Sequence, residues 1–281
     1  MMKIVFFICL LLVVFVIATC YGVKQKENEE YIPKEGKPTV VALAKTEHTT
    51  VLNICQLKDY LPDPIHHKPE CILKRKAYVL SYNMNTRIPN WVAWHLTAEH
   101  ADGEVKRFNG YLEDEDVPEP RATLEDYKGN GWSHGHMCPA ADNKWDIQAM
   151  RESCLLTNIC PQHHSLNSGL WNKIEQDCRK WAKRYGDVYI VCGPVLLNRE
   201  HETIGENKVV VPEAFFKVIL CLQGKPKAIG FIIRNNEGKK KKDQFINTVD
   251  DVERITGYDF FPALPDSIED SVEAYSNIGD W

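Results

Sequence analysis

The sequence predicts an α+β fold from three observations: several strand-like runs rich in β-branched and aromatic residues, one long amphipathic helix between them, and no internal repeat. At 281 residues, 44% hydrophobic and 26% charged, the chain can bury a sizeable core. That excludes disorder throughout, a peptide toxin and a polytopic membrane protein. The formal net charge of −5 argues against a non-specific nucleic-acid coating protein. It does not argue against action on a polyanion in one cleft, because whole-chain charge says little about a local field.

The chain opens with a leader, residues 1–23. Ile4 to Val23 carries no charge and is bounded by Lys3 and Lys24. Such a run suits a signal peptide, a lipoprotein-type cut near Ile17-Ala18-Thr19-Cys20, or an uncleaved membrane anchor. All three readings place the remainder outside the cytoplasm, as a secreted, periplasmic or membrane-anchored protein. Residues 24–50 are polar without a period and read as an arm. One folded domain is expected over 51–265.

Within that domain, Ala77 to Tyr82 and Trp91 to Thr97 read as neighbouring strands joined by the turn-forming stretch Asn83 to Pro89. An acidic loop, Glu113 to Glu119, and a Gly-rich approach, Lys128 to Trp132, lead into Ser133 to Asn143, where Gly and Pro predict irregular backbone. Ser168 to Arg184 reads as a helix. Its Trp171, Ile174, Cys178 and Trp181 recur at helical spacing, Asn167 or Ser168 is available as its cap, and Gly186 stops it. Val188 to Leu197, Phe215 to Leu222 and Ala228 to Arg234 read as strands, the last two joined by a Gln223-Gly-Lys-Pro226 turn. Lys239 to Lys242 is a basic run that suits either a solvated loop or a phosphate-attracting patch. Residues 266–281 form an acidic tail without a base, expected to be an exposed terminus.

Three polar clusters carry the candidate chemistry. His134 and His136, taken alone, are compatible with ordinary satisfied histidines. The string Ser133-His134-Gly135-His136-Met137-Cys138-Pro139-Ala140-Ala141-Asp142 says more when joined to Asn158, Pro161, Gln162, Asn167, Trp171 and Glu175 at their spacing. With the closing segment Val252 to Pro262, the chain resembles the DNA/RNA non-specific endonucleases, the ββα-metal nucleases, over Tyr78 to Pro265. The resemblance implies a ββα-metal finger fold with a mixed, mainly antiparallel sheet and packed helices. It also implies a metal-dependent hydrolase acting on DNA and RNA. No protein inhibitor is legible in the sequence.

Carried over position by position, the resemblance makes His136 the general base and Asn167 the direct metal ligand. Glu175 becomes a partner of the metal's waters, Asn158 a supporting polar group and Arg107 a phosphate contact. The implied metal is Mg²⁺, with Mn²⁺ as a substitute. Residue chemistry agrees with these roles. Imidazole is the side chain that titrates near neutrality, and a hard cation takes oxygen ligands while keeping most of its water. In a regular helix Glu175 would lie roughly 12 Å along the axis from Asn167, which favours a water-mediated link over direct ligation by both.

Two departures bear on the outcome. The family's first motif carries Asp-Arg where this chain has Ser133-His134, so a permanent phosphate clamp is replaced by a group charged only below about pH 6.5 unless perturbed. Phosphate binding is therefore expected to strengthen on acidification. The same replacement supports an alternative, a catalytically impaired nucleic-acid-binding module of the same fold. The second departure concerns sulfur. Of ten cysteines, Cys9 and Cys20 lie in the leader, and the even remainder fits disulfides in an oxidising compartment. Cys138 and Cys160 sit inside the signature elements as either a bridge or free thiols, and a zinc site on His134, His136 and cysteines is a weaker reading.

Overall fold

The computed structural model describes residues 60–281 apart from 67; the leader 1–23, the arm 24–50 and residues 51–59 lie outside the described residues. The described residues belong to one compact unit, Val51–Trp281. In chain order the strands are β1 (Cys71–Lys74), β2 (Val79–Asn83), β3 (Ile88–Thr97), β4 (Ser133–His136), β5 (Ile159–Gln162) and β6 (Asp187–Val195). They continue with β7 (Thr203–Ile204), β8 (Val209–Val210), β9 (Ala214–Cys221), β10 (Lys227–Arg234) and β11 (Ile246–Asn247). Seven of them form one sheet in the order β1-β2-β3-β6-β9-β10-β11, and every neighbouring pair is antiparallel. β4 pairs with β5 and β7 with β8 as separate two-stranded units.

Among the described residues there are four α-helices, α1 (Ile147–Ser153), α2 (Asn172–Tyr185), α3 (Val249–Thr256) and α4 (Asp266–Glu273), of which α2, α3 and α4 pack on this sheet. The α+β class is the one the sequence predicts. Strand alternation decides which residues meet which layer. Val92, Trp94, Leu96, Ile190, Phe215 and Ile219 pack with Trp171, Ile174, Cys178 and Trp181 on one face. Trp91, Ala93, Val191, Phe216, Val218 and Leu220 pack with Val249, Val252, Phe260 and Val272 on the other. Each large apolar side chain fully buried this way contributes roughly 1.5–3 kcal/mol. Lys217 falls between Phe216 and Val218, so its side chain belongs with Phe215 and Ile219, toward α2.

The structure corrects several local expectations. Ser133 to His136 is a strand, because β5 offers a partner for a backbone that composition alone reads as irregular. The expected continuous helix from Ser168 is broken. A wide π-type turn, Leu166–Trp171, precedes α2, and Gly169 within it leaves helical geometry at φ −101, ψ −106. Asn167 and Ser168 therefore lie in that turn, and neither caps α2, whose N-terminal boundary is Trp171 without a side-chain cap. Gly186 ends α2 at φ +99, a conformation that a side chain would strain.

The disulfide expectation is also corrected. Cys71, Cys138, Cys154, Cys160, Cys178, Cys192 and Cys221 are all free; Cys55 lies outside the described residues. Cys138 and Cys160 are core residues, and burial holds both thiols well above their usual range. Cys160 stands opposite Gly135 in the β4–β5 register, whereas Cys138 lies two residues beyond the end of β4. The acidic tail is not an exposed terminus. Val272 is buried in α4, the Trp281 ring lies 4.6 Å from that of Trp181, and Arg184 donates to the Trp281 carbonyl at 3.0 Å. Its apolar residues outweigh its charge in deciding where it goes. Among the described residues no helix is long and apolar enough to cross a membrane.

Candidate active site

The β4–β5 pair builds the floor of the site. Its register sets Ser133 against Gln162, His134 against Pro161, Gly135 against Cys160 and His136 against Ile159. Gly135 permits this closeness, since a Cβ there would lie 2.6 Å from Gln162. Beyond His136 the chain is held by one side chain. Asn158 accepts from the Cys138 N–H at 2.9 Å and donates to the carbonyls of Cys138 and Ser153, both at 2.8 Å. Asn158 is wholly buried, so these three bonds satisfy groups that water does not reach.

His136 is 8% exposed, and its Nε2 is buried without a hydrogen-bond partner among the described residues. Its backbone carbonyl accepts from the Trp171 indole N–H at 3.3 Å. Burial, reinforced by the positive field of Arg107 and by His134, pushes the imidazole down to about 3, so it is neutral at ordinary pH. His134 stacks between two phenol rings, Tyr111 at 4.1 Å and Tyr127 at 4.2 Å between centroids. Burial lowers its pKa as well. The expected acid-strengthened phosphate clamp is thereby moved below the ordinary histidine range, because the ring is enclosed by aromatic surface rather than by solvent.

Glu175 sits on α2 and is half-buried. Burial pushes its carboxyl up to about 7, against the lowering influence of Lys217, Arg179 and Arg107. Arg107 itself is exposed, and its charge acts on His136, Glu175 and Tyr111. Electrostatically it thus belongs with His136 and Glu175. Asn167 is half-buried in the π-type turn, with its backbone N–H donating to the His163 carbonyl at 3.0 Å. The break at Gly169 means that the regular-helix separation between Asn167 and Glu175 does not apply.

Sequence reasoning missed three participants. Asp142 accepts from the Trp94 indole N–H at 3.1 Å and from Arg179 at 2.7 Å. Arg179 stands one helical turn after Glu175, an i, i+4 relation that could have flagged it. Lys217 was visible as the one charge inside an apolar strand. The basic run Lys239 to Lys242 is partly neutralised, Lys240 by Glu237 at 2.7 Å and Lys242 by Asp177.

The family model described as DNA/RNA non-specific endonuclease matches residues 66–267. The chain belongs to the DNA/RNA non-specific endonuclease family. It is 37% identical to mouse (Mus musculus) mitochondrial nuclease EXOG over 66% of this chain and 56% of that protein. It is 32% identical to human (Homo sapiens) mitochondrial endonuclease G, over 68% of this chain and 69% of the relative. Among solved structures, the crystal structure of an EndoG/EndoGI complex superposes with a TM-score of 0.69 at 29% identity, covering 75% of this chain and 92% of the other. The chain spans little more than half the length of the EXOG nuclease it matches.

These endonuclease relatives overturn the extracytoplasmic placement. EXOG and endonuclease G are named as mitochondrial proteins. An uncharged apolar leader shows that a segment suits a membrane or a translocon, and does not show which membrane system receives it.

The endonuclease family is divalent-metal dependent. The residues present suit such an ion. The Asn167 amide and the Glu175 carboxylate are oxygen donors of the kind a hard cation takes, and neither is engaged in a side-chain hydrogen bond among the described residues. The zinc reading fails on the same ground: among the described residues, the one group of three His, Cys, Asp or Glu ligand atoms within 4.8 Å of one another is Asp250, Glu253 and Glu273.

Proposed function

We propose that this chain is a Mg²⁺-dependent nuclease that hydrolyses phosphodiester bonds of DNA and RNA without sequence preference, with His136 as general base. Mn²⁺ is the substitute ion. The observation that carries this reading is the His136 Nε2, buried and without a hydrogen-bond partner among the described residues, on a ring set against Tyr111 and in the field of Arg107. A base must be unprotonated and free to accept. Asn158 fixes the loop behind it, and Trp171 fixes its carbonyl.

In the proposed step, Nε2 takes a proton from water as the water oxygen attacks phosphorus. The P–O3′ bond then breaks, O3′ leaves with the electron pair and is protonated from solvent, and the product carries a 5′-phosphate. Asn167, directly, and Glu175, through water, would hold the Mg²⁺, which supplies oxygen coordination that stabilises charge on the phosphate. Arg107 adds positive charge beside the base, and His134 contributes an aromatic wall. The absence of sequence preference follows from a reaction that needs phosphate and sugar positioned but no base edge.

The catalytic unit is assigned to 51–265, after the leader 1–23 and the arm 24–50, and the location to the mitochondrion, following the names of the relatives. Since the solved endonuclease G is bound to EndoGI in a structure described as explaining EndoG inhibition, a protein inhibitor of this chain is a corresponding proposal.

Plasmid and single-stranded RNA digestion with Mg²⁺, with chelator, and with His136→Ala tests the mechanism. Cleavage by the wild type that disappears in the other two is expected. Persistent cutting by His136→Ala would overturn the assignment of the base. Binding without any wild-type cutting would establish instead the impaired binding module.

A further inference from the structure

Lys217 is wholly buried, and apart from a sulfur contact with Cys192 its Nζ has no polar partner among the described residues. Leaving an ammonium in such a place is expensive unless something replaces its hydration. Two indoles do so. Nζ lies 4.4 Å from the ring centroid of Trp171 and 4.9 Å from that of Trp94, both within cation–π range. Cys192 and Cys178, then Glu175 and Asp142, act against the burial penalty and together outweigh it, so the ammonium pKa is raised.

The two indoles that enclose Lys217 are the ones that touch the site. Trp171 donates its N–H to the His136 carbonyl at 3.3 Å, and Trp94 donates to Asp142 at 3.1 Å. Asp142 in turn holds Arg179 at 2.7 Å, on the helix that carries Glu175. An apolar side chain at 217 would fill the volume without drawing two aromatic faces toward one point.

We propose that Lys217 is a positioning residue of the nuclease centre, whose buried ammonium orients the Trp171 and Trp94 indoles and through them the His136 backbone and the Asp142–Arg179 pair. The inference rests on the proposed nuclease reading, because only there does the placement of His136 matter. Lys217 touches no reacting atom. Its contribution is to the geometry of groups that do, and small displacements of such groups are costly to the rate.

The test compares wild type, Lys217→Met and Lys217→Arg. Met keeps the length and removes the charge; Arg keeps the charge and its affinity for aromatic faces. Lys217→Met is expected to lower kcat on the order of 100-fold with KM nearly unchanged, and Lys217→Arg to recover part of the loss. In ¹H–¹⁵N spectra the Nε1–H resonances of Trp94 and Trp171 should both move in Lys217→Met. Wild-type kcat in Lys217→Met, or indole resonances that stay put, would overturn the proposal. If Lys217→Met fails to fold, the wild type decides alone. Its Lys217 Hε protons should be shifted upfield by the ring currents of two indoles, and ordinary lysine shifts would refute the cage. An inactive wild type with shifted indole and Hε signals would instead refute the nuclease reading while leaving the cage in place.

Discussion

The His134 imidazole lies flat against the Tyr111 ring, 4.1 Å away and 11° from parallel. Tyr127 covers its other face at 20° from parallel. A ring so enclosed behaves as an aromatic plate before it behaves as a cation, since burial lowers its pKa. His134→Arg can keep the stacking through the guanidinium plane and adds a permanent charge. The variant should therefore make log Kd for DNA steeper in log salt by about 1, one further phosphate contact. Filter binding in a His136→Ala background measures this, and an unchanged slope would place residue 134 off the phosphate path.

With His136 as the proposed base, its pKa, pushed down by burial to about 3, would set the acid side of catalysis. In that proposed role the group works when unprotonated, so activity is expected to be lost as pH falls through its pKa and not to decline between pH 8 and 5 on its account. A kcat/KM profile with an acid limb near 6.5 that vanishes on substituting His136 would contradict the buried, depressed state.

Asn158 makes three buried hydrogen bonds around Cys138 and Ser153. Asn158→Ala leaves those backbone groups unpaired and should destabilise the fold by roughly 3 kcal/mol, about 1 for each bond. Urea unfolding reads the loss. Activity should fall further than the folded fraction does, because the loop following the base is released.

Metal removal should act through the turn that holds Asn167. Chelation is expected to stop cleavage, and Mg²⁺ should raise Tm of the wild type but not of Asn167→Ala. Equal stabilisation of both proteins would move the metal elsewhere.

Between α3 and α4, Asp250, Glu253 and Glu273 bring carboxylate oxygens within 4.8 Å of one another. Burial and mutual repulsion push Glu253 up to about 7 and Glu273 up to about 8. These folded-state values exceed the unfolded ones, so the folded chain holds extra protons above pH 4.5. Their contribution to stability is complete below that pH and is lost as pH rises toward 8. Glu273→Gln should flatten the fall in Tm between pH 5 and 8; an equally steep fall would mean that another group controls it.

Much of this architecture was legible because local pattern and tertiary demand agree. The β9 and β10 hairpin follows from two apolar runs around a Gly-Lys-Pro turn, and the α2 stripe follows from helical spacing. What was hidden depends on distant partners. Ser133 to His136 becomes a strand only because Ile159 to Gln162 lies beside it, and the π-type turn at Leu166–Trp171 leaves no signature stronger than one glycine. The fate of His134 turned on Tyr111 and Tyr127, which lie outside the motif itself. Cys138 and Cys160 are a case that local sequence could not decide. Their position within the motifs left a bridge and free thiols equally open, and burial of two free thiols is the outcome.

The contact between Trp281 and Trp181 has a practical side. Trp281 is 9% exposed, and its carbonyl receives Arg184 from the end of the helix that bears Glu175. An affinity tag or fluorescent protein fused directly after Trp281 would begin beside Arg184 of that helix, and deleting residues 266–281 would bare Trp181 and the apolar residues packed with Val272. Purification and imaging should therefore append their labels through a long flexible spacer, with solubility compared before and after its removal.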